Sequence, residues 1–336
     1  MLFSLWTSLI APASARPTVV LASGAVEGVV EESMRVFRGI PYAEPPVGAL
    51  RWRAPVPKAA WKPAVVDAST DGNGCPQICD MPKLACPVKQ SEDCLFLNVF
   101  APLAQPTKPL PVSLFIHGGD FFQGFGGGAL YTGKSFVAGG TIFVSMNYRL
   151  GALGFAYSGD ASKHSDDLIG NYGLMDQTLV LEWVRDNIAA FGGDPAAVTL
   201  FGESAGGMSV GTHMVTPSST ALFHRGMIES EPFALPFRTT STYPAYTREF
   251  AHKAGCGDGV INLKRYEPCL RNVSTAKLLA AQTAVRTVPL AMVLSVTDLF
   301  IPFSPVVDRR CVFMYRYILN EFCYNDFDLP PSYINI

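Results

Sequence analysis

The chain has 336 residues, of which 49% are hydrophobic and 16% are charged, and its formal net charge is −2. This composition is too apolar for a disordered chain, and the length allows one large core or two domains. The near-neutral charge, with no run of Lys and Arg, argues against binding to nucleic acid.

The first fifteen residues have the features of a secretory leader. Residues 1–10 form a short apolar stretch, and the small residues of Ala13-Ser14-Ala15 match a signal-peptidase site. We predict a signal peptide over residues 1–15 and a secreted protein. A buried N-terminal strand is the alternative, which the missing positive charge before the apolar stretch favours. No later run approaches the roughly 20 apolar residues of a transmembrane helix.

Eight cysteines in a chain with such a leader indicate an oxidising compartment, where cysteines pair. Cys75, Cys79, Cys86 and Cys94 lie close together without a nearby histidine, so disulfides are favoured over a zinc site. The spacing leaves the connectivity open. Asn272 begins the single N-glycosylation sequon, which fits a secreted protein.

The N-terminal part of the chain is predicted to be rich in β-structure. Residues 16–70 alternate short β-branched stretches, at 18–21 and 26–30, with Gly and Pro, which is typical of antiparallel strands and turns. Residues 71–94 show no sustained periodicity and are predicted to form a loop.

From about residue 110 the pattern changes to apolar strands followed by a helix. Continuous apolar runs typical of buried parallel strands cover residues 111–116, 141–145 and 198–201. Between the last two, apolar residues recur at helical spacing from Leu174 to Ile188, and a Gly-Gly-Asp-Pro turn at 192–195 is predicted to end the helix. The order strand, helix, strand predicts an α/β sheet.

The last third of the chain has weaker patterns. Helices are predicted at 246–253 and 275–284, and their long spacing suggests a cap or an insertion. The composition changes after Asp308, and residues 309–336 have no clear period.

The pentapeptide Gly202-Glu203-Ser204-Ala205-Gly206 matches the G-x-S-x-G pattern of a nucleophile elbow. A β-run precedes it and a small-residue helix start follows it. The sharp turn forces the serine into strained backbone angles, so the positions two before and two after it cannot carry bulk. We predict Ser204 as a catalytic nucleophile, with a glycine-rich turn as the alternative.

A second motif, His117-Gly118-Gly119-Asp120, directly follows a β-run, as the HGGG-type oxyanion motif of lipases and esterases does. The predicted oxyanion donors are the amides of Gly119, Asp120 and Ala205. Asp120 stands where a third glycine is usual, and its carboxylate would oppose a forming oxyanion unless the side chain turns away.

Residues 124–129 match G-x-G-x-x-A, but the preceding strand and the following acidic residue of a dinucleotide site are missing. We therefore predict neither an organic cofactor nor a metal ion.

Taken together, the motifs resemble those of the type B carboxylesterases, the group that includes cholinesterases and fungal extracellular lipases. The resemblance covers about residues 24–308, and its segments occur in order: 37–43, 45–48, 92–98, 117–119, 147–151, 170–177, 191–195 and 201–207. It implies an α/β-hydrolase fold, in which antiparallel N-terminal strands precede a central, mostly parallel sheet. It also implies hydrolysis of small carboxylic esters.

The resemblance further implies a disulfide between Cys75 and Cys94, around a loop that lines the active-site gorge, and another between Cys256 and Cys269. Cys79 and Cys86 are then left to pair with each other or to stay free.

Other residues acquire supporting roles by resemblance. Arg51 and Glu92 are similar to a structural ion pair beneath the loop. Gly118 and Glu203 support the serine, Glu203 by positioning water and polar groups beside it. Ser230 matches a position that supports the catalytic triad, although a glutamate replaces the glycine expected after it.

A serine nucleophile needs a histidine base and a carboxylate, in the chain order Ser, acid, His. His213, His224 and His252 follow Ser204, but each matches the family outside its active site. The resemblance places both partners well beyond residue 308. Glu321, Asp326 and Asp328 lie in the unmatched tail, where no motif marks any of them as the acid.

The expectation is therefore a signal peptide (1–15), a partial α/β-hydrolase domain (16–308) whose C-terminal part is missing, and an unmatched tail (309–336). The predicted function is ester hydrolysis, impaired by the missing acid and histidine. The alternatives are a non-catalytic, cholinesterase-like binding or adhesion protein and a non-functional truncated fragment.

Overall fold

A computed structural model describes residues 16–157, 170–231, 237–239, 243–257, 266–286 and 303–307. The predicted signal peptide and the tail after residue 308 lie outside the described residues.

The N-terminal strands divide between two sheets. Strands β1 (Thr18–Leu21) and β2 (Gly24–Glu27) pair antiparallel, as the alternating pattern predicts. Strand β3 (Val29–Glu31) follows after Gly28, so the predicted strand at 26–30 is two strands. A side chain at Gly28 would meet the carbonyl oxygen of Val36 at 2.3 Å, so this break requires a glycine. Strands β4 (Met34–Pro41) and β5 (Val65–Asp67) follow, and β5 pairs parallel with β2.

Seven strands form the central sheet, in the order β10-β9-β7-β8-β6-β4-β3. The strands not yet introduced are β6 (Phe96–Pro102), β7 (Leu110–Ile116), β8 (Ile142–Met146), β9 (Gly193–Glu203) and β10 (Arg225–Glu229). The pairs of β10 with β9, β9 with β7 and β7 with β8 are parallel, and the remaining pairs are antiparallel. The N-terminal strands thus form the antiparallel half of the sheet, and the later strands form its parallel half.

The helices are α1 (Lys134–Ala138), α2 (Gly151–Phe155), α3 (Tyr172–Asn187), α4 (Ala205–Val215), α5 (Pro217–Thr220), α6 (Pro244–Lys253), α7 (Glu267–Arg271) and α8 (Thr275–Arg286). A third, two-stranded sheet joins β11 (Arg238–Thr239) and β12 (Val306–Val307) in parallel. Among the described residues, no helix is both long and apolar enough to cross a membrane.

The turn predicted at 192–195 is shorter than expected. A 3₁₀ turn over Ile188–Phe191 follows α3, and Gly192 has φ 99°. Gly193 already pairs with Leu110, so β9 begins there. The left-handed backbone of a single glycine is enough to reverse the chain.

The middle of the sheet is buried on both faces, as expected for parallel strands with helices on either side. All five residues of β8 are buried. Phe100, Phe115, Phe143 and Phe201 form an aromatic cluster against which Phe136 of α1 packs. The rings of Phe115 and Phe201 lie 5.0 Å apart, and this contact between β7 and β9 fixes the two strands that carry the candidate site.

Three disulfides occur in the described residues. Cys75 is bonded to Cys94 and Cys256 to Cys269, which are the pairings that the resemblance implies. Cys79 is bonded to Cys86, which resolves the alternative left open by the sequence. All four cysteines of residues 71–94 are therefore in disulfides, and a zinc site there is excluded.

Arg51 ties the disulfide-bonded loop to the end of α7. Its Nε donates to Oε2 of Glu92 at 2.7 Å; Arg51 is buried, and Glu92 is only slightly exposed. Its Nη1 also donates to the carbonyl oxygens of Leu270, Arg271 and Val273. These carbonyls lie at a helix C-terminus, where backbone acceptors lack partners within the helix. Arg51 is thus a structural residue.

Candidate active site

Ser204 occupies the turn between β9 and α4. Its backbone has φ 56° and ψ −121°, and its side chain is half-buried. A residue other than glycine in such a conformation costs about 1–3 kcal/mol and persists only when the surrounding structure holds it there. The neighbouring strand holds this one, because the Ser204 N–H donates to the carbonyl oxygen of Glu229 at 2.9 Å.

The two flanking glycines are required by the packing at the turn. A side chain on Gly206 would lie 2.1 Å from the carbonyl oxygen of Ile116 in β7. A side chain on Gly202 would lie 2.5 Å from the carbonyl carbon of Gly206. The elbow therefore packs directly on β7.

The loop after β7 approaches the serine closely. A Cβ atom on Gly118 would lie 3.1 Å from the Cβ of Ser204. Gly119 has φ 104°, and its carbonyl oxygen accepts hydrogen bonds from the N–H groups of Phe122 and Gln123 at 3.0 and 3.1 Å. Asp120 is also left-handed, with φ 57°. The oxyanion motif is therefore a tight turn beside Ser204.

His117 fixes the orientation of the first peptide in this turn. The ring is buried, and burial lowers its pKa to about 4, so it is neutral at pH 7. Its Nδ1 lies 2.8 Å from the carbonyl oxygen of Gly118, a contact that requires the hydrogen on Nδ1. Because a trans peptide places C=O and N–H on opposite sides, the N–H of Gly119 points away from the ring.

The carboxylates beside the serine form a negatively charged rim. Burial, followed by the charges of Glu229 and Asp120, raises the pKa of Glu203, which directly precedes Ser204. Asp120 is exposed to solvent. Its carboxylate therefore lies at the edge of the turn and is not packed beneath it, yet it is near enough to Glu203 to raise the pKa of that carboxyl.

Ser230 and Glu231 follow the C-terminal end of β10, which lies beside the end of β9 that carries Ser204. Ser230 has φ 52°, and Oε2 of Glu231 is buried without a hydrogen-bond partner. Burial raises the pKa of Glu231 to about 7. Its carboxylate lies about 3.5 Å from the position that a Cβ on Gly211 of α4 would occupy. The sequence marked Glu231 only as a departure from the family glycine and did not predict its burial.

The histidines after Ser204 that belong to the described residues are held elsewhere. His213 is buried, with Nε2 2.9 Å from Oε1 of Gln177 and Nδ1 3.0 Å from Oγ of Ser219. Burial lowers its pKa to about 4. Nδ1 of His224 accepts the N–H of Val198 at 3.3 Å. His252 lies on α6. None of the three is hydrogen-bonded to Ser204, which agrees with the expectation that they lie outside the active site.

Two further observations bear on metal binding and on glycosylation. No group of three or more His, Cys, Asp or Glu side chains within the described ranges is arranged to hold a metal ion. Asn272 is exposed, and its Nδ2 donates to the carbonyl oxygen of Pro268 at 2.8 Å.

A strained serine between a parallel strand and a helix, faced by a glycine turn from the adjacent strand, defines an α/β-hydrolase. Comparison with known proteins agrees. The model of the carboxylesterase family matches residues 15–322, and the chain belongs to this family.

Two curated relatives are similar over most of the chain. The "Crystal protein" of Dictyostelium discoideum is 39% identical over 292 residues, which are 86% of this chain and 50% of that protein. The para-nitrobenzyl esterase of Bacillus subtilis is 40% identical over 290 residues, which are 85% of this chain and 56% of the esterase. The chain thus spans about half the length of the curated relatives it matches.

A solved structure of a PNB esterase superimposes with a TM-score of 0.77 at 38% identity. The match covers 88% of this chain and 58% of the PNB esterase.

Proposed function

We propose that this protein hydrolyses small carboxylic esters through an acyl-enzyme on Ser204. The observation that carries the proposal is the strained, half-buried serine with φ 56° at the end of β9. A binding or adhesion surface has no use for this conformation, whereas a nucleophile gains an exposed Oγ from it. The enzyme is therefore favoured over the non-catalytic alternative.

In the proposed reaction, Oγ of Ser204 attacks the ester carbonyl carbon while its proton passes to a base. The amides of Gly119, Asp120 and Ala205 donate to the oxyanion of the tetrahedral intermediate. The carbon–oxygen bond to the alcohol then breaks, and the alcohol leaves with a proton. Water attacks the acyl-enzyme by the same route and releases the acid. No cofactor takes part.

The base is proposed to lie outside the described residues, because His213 and His224 are engaged elsewhere. Such a base is needed for full turnover, because a serine hydrolase without its histidine typically loses several orders of magnitude in rate.

Residues around the serine are proposed to support it. Gly118 allows the oxyanion turn to approach, Glu203 positions water and polar groups beside the nucleophile, and Ser230 supports the catalytic triad. The close contact between Gly118 and Ser204 and the position of Glu203 directly before the serine favour these roles.

We further propose that the protein is secreted and glycosylated at Asn272. Three disulfides favour an oxidising compartment, and the exposed asparagine in a sequon is accessible to glycosylation. Expression in a secretory host, with and without enzymatic removal of N-glycans, should give a mass difference that disappears in Asn272→Gln.

Hydrolysis by the purified protein tests the main proposal, with p-nitrophenyl butyrate and a para-nitrobenzyl ester as substrates. The second substrate is the kind of ester after which the Bacillus subtilis relative is named. Ser204→Ala should abolish all turnover, and Ser218→Ala, which alters an exposed serine on α5, should leave it unchanged. A fluorophosphonate probe should label the wild type at Ser204 even where turnover is slow. Equal hydrolysis and labelling by wild type and Ser204→Ala would refute the proposal.

A further inference from the structure

Gln77 lies in the disulfide-bonded loop and makes a reciprocal pair of hydrogen bonds with Gly124. Its Nε2 donates to the carbonyl oxygen of Gly124 at 2.8 Å, and the N–H of Gly124 donates to its Oε1 at 2.8 Å. Nε2 also donates to the carbonyl oxygen of Cys75 at 3.0 Å. The side chain is buried, so these groups are paired away from water.

Gly124 lies where the loop after β7 folds back onto His117 and Gly118, the residues with which the loop starts. It has φ 121°, and a Cβ there would lie 2.2 Å from Nδ1 of His117 and 2.5 Å from the carbonyl oxygen of Gly118. The backbone of Gly124 therefore packs directly on the ring and on the peptide that orient the N–H of Gly119. A shift of Gly124 would release the His117 ring and the Gly118–Gly119 peptide from this packing.

The loop that carries Gln77 is itself anchored. The backbone N–H of Gln77 donates to Oε1 of Gln90 at 2.9 Å, and the N–H of Asp80 donates to Oε1 of Gln123 at 2.9 Å. The Cys75–Cys94 disulfide closes the loop at its base. Gln77 thus joins a rigid segment to a turn whose residues have costly left-handed backbones.

We propose that Gln77 is a positioning residue for the oxyanion hole, acting through Gly124 and His117 on the amides of Gly119 and Asp120. The inference rests on the proposed function. An oxyanion donor helps only when it is held where charge develops, and loss of one donor costs about 100- to 1,000-fold in rate. Displacing the turn without removing a donor should cost less, about tenfold to a hundredfold.

The test compares wild type with Gln77→Ala and with Gln77→Glu, which keeps an acceptor for Gly124 but loses the donor. Asn171→Gly is the matched control. It removes the same kind of reciprocal amide pair, with Val306, at a residue whose positive φ a glycine tolerates.

Hydrogen–deuterium exchange is measured on the peptide covering 117–124 and on a reference peptide from β7. The rate of Ser204 labelling by a fluorophosphonate is measured in parallel.

We expect Gln77→Ala to raise exchange over 117–124 by about tenfold or more, since it removes hydrogen bonds that hold the turn. It should slow Ser204 labelling by about tenfold to a hundredfold. Gln77→Glu should fall between Gln77→Ala and the wild type, and Asn171→Gly should match the wild type in both measurements. If Gln77→Ala does not fold, the exchange and labelling rates of Gln77→Glu, compared with those of the wild type, test the proposal.

Unchanged exchange, unchanged labelling despite raised exchange, or an equal loss in Asn171→Gly would overturn the role of Gln77. If the wild type shows no labelling that depends on Ser204, the proposed function fails. In that case unchanged exchange in Gln77→Ala would still overturn the claim that Gln77 holds the turn.

Discussion

The backbone N–H of Ser204 donates to the carbonyl oxygen of Glu229, the last residue of β10, at 2.9 Å. Glu229 is also the register partner of Glu203, so the parallel pairing of β9 and β10 continues into the elbow. The strained serine is therefore stabilised by a neighbouring strand as well as by its own helix.

Two glycines of α4 should respond in opposite directions to alanine. In Gly206→Ala the new Cβ meets the backbone of Ile116 at 2.1 Å, so we expect a loss of about 1–3 kcal/mol or more in the free energy of unfolding. In Gly211→Ala the nearest atom lies at 3.5 Å, and the helix should gain about 0.5–1 kcal/mol. Urea denaturation measures both, and a stable Gly206→Ala would mean that the elbow does not pack on β7.

Removing the charge of Asp120 should speed the reaction of Ser204. The exposed carboxylate stands beside the proposed oxyanion and acts on Glu203. Asp120→Asn keeps a side chain that tolerates a left-handed backbone. For an exposed charge worth about 1 kcal/mol, we expect labelling of Ser204 to rise about threefold to tenfold, and less at high salt. A slower Asp120→Asn variant would show instead that the carboxylate assists the reaction.

Glu231→Gln should stabilise the fold at neutral pH. Burial raises the folded pKa to about 7, above the ordinary value of 4.5, so the folded state keeps a proton that the unfolded state releases. The associated stability is fully present below pH 4.5 and is lost as the pH rises to about 7. After allowance for solvent screening of a partly exposed side chain, the gain should be about 1 kcal/mol at pH 8 and smaller at pH 4.5. Denaturation at the two pH values, with Glu182→Gln as the control, measures it. A gain independent of pH would contradict the burial of the carboxyl.

The two disulfides of residues 71–94 should differ in their response to reductant. Cys75 and Cys94 are buried, whereas Cys79 and Cys86 are half-buried, and exchange requires that a thiolate reach the sulfur. We expect Cys79–Cys86 to open before Cys75–Cys94 under graded dithiothreitol, as judged by alkylation and peptide mapping. Its loss should cost about 2–3 kcal/mol on the chain-entropy estimate for a short loop. Simultaneous opening of Cys75–Cys94 would show that the outer part of the loop does not shield the inner bond.

Much of the fold was predictable because local pattern and tertiary context agree. The apolar runs became β7, β8 and β9, and the helical spacing after Leu174 became α3. The turn at 192–195 was predicted too long, because pairing of Gly193 with Leu110 extends β9 towards the turn. No local pattern contains that information, since it depends on a partner some eighty residues away.

The sequence motifs point to the candidate nucleophile and its glycines, but not to the residues that pack around them. Ser204 and the glycines around it follow from the chemistry of a tight turn. Gln77 and Glu231 give no such signal, because a lone glutamine or glutamate is usually a surface residue. Their burial depends on contacts with Gly124 and Gly211, which are distant in sequence and follow only from the assembled sheet.

The support of Ser204 by Ile116 and Glu229 also bears on when the site forms during folding. Strand β7 pairs with β9 across an intervening segment that contains β8 and α3, and contacts between such distant residues form slowly. Until β7, β9 and β10 have assembled, nothing holds the serine in its strained conformation, and an unfolded or newly made chain relaxes to ordinary backbone angles. The reactivity proposed for Ser204 would therefore be acquired late in folding. An early folding intermediate would be inert towards esters, and the rate at which serine labelling appears would report when the sheet is complete.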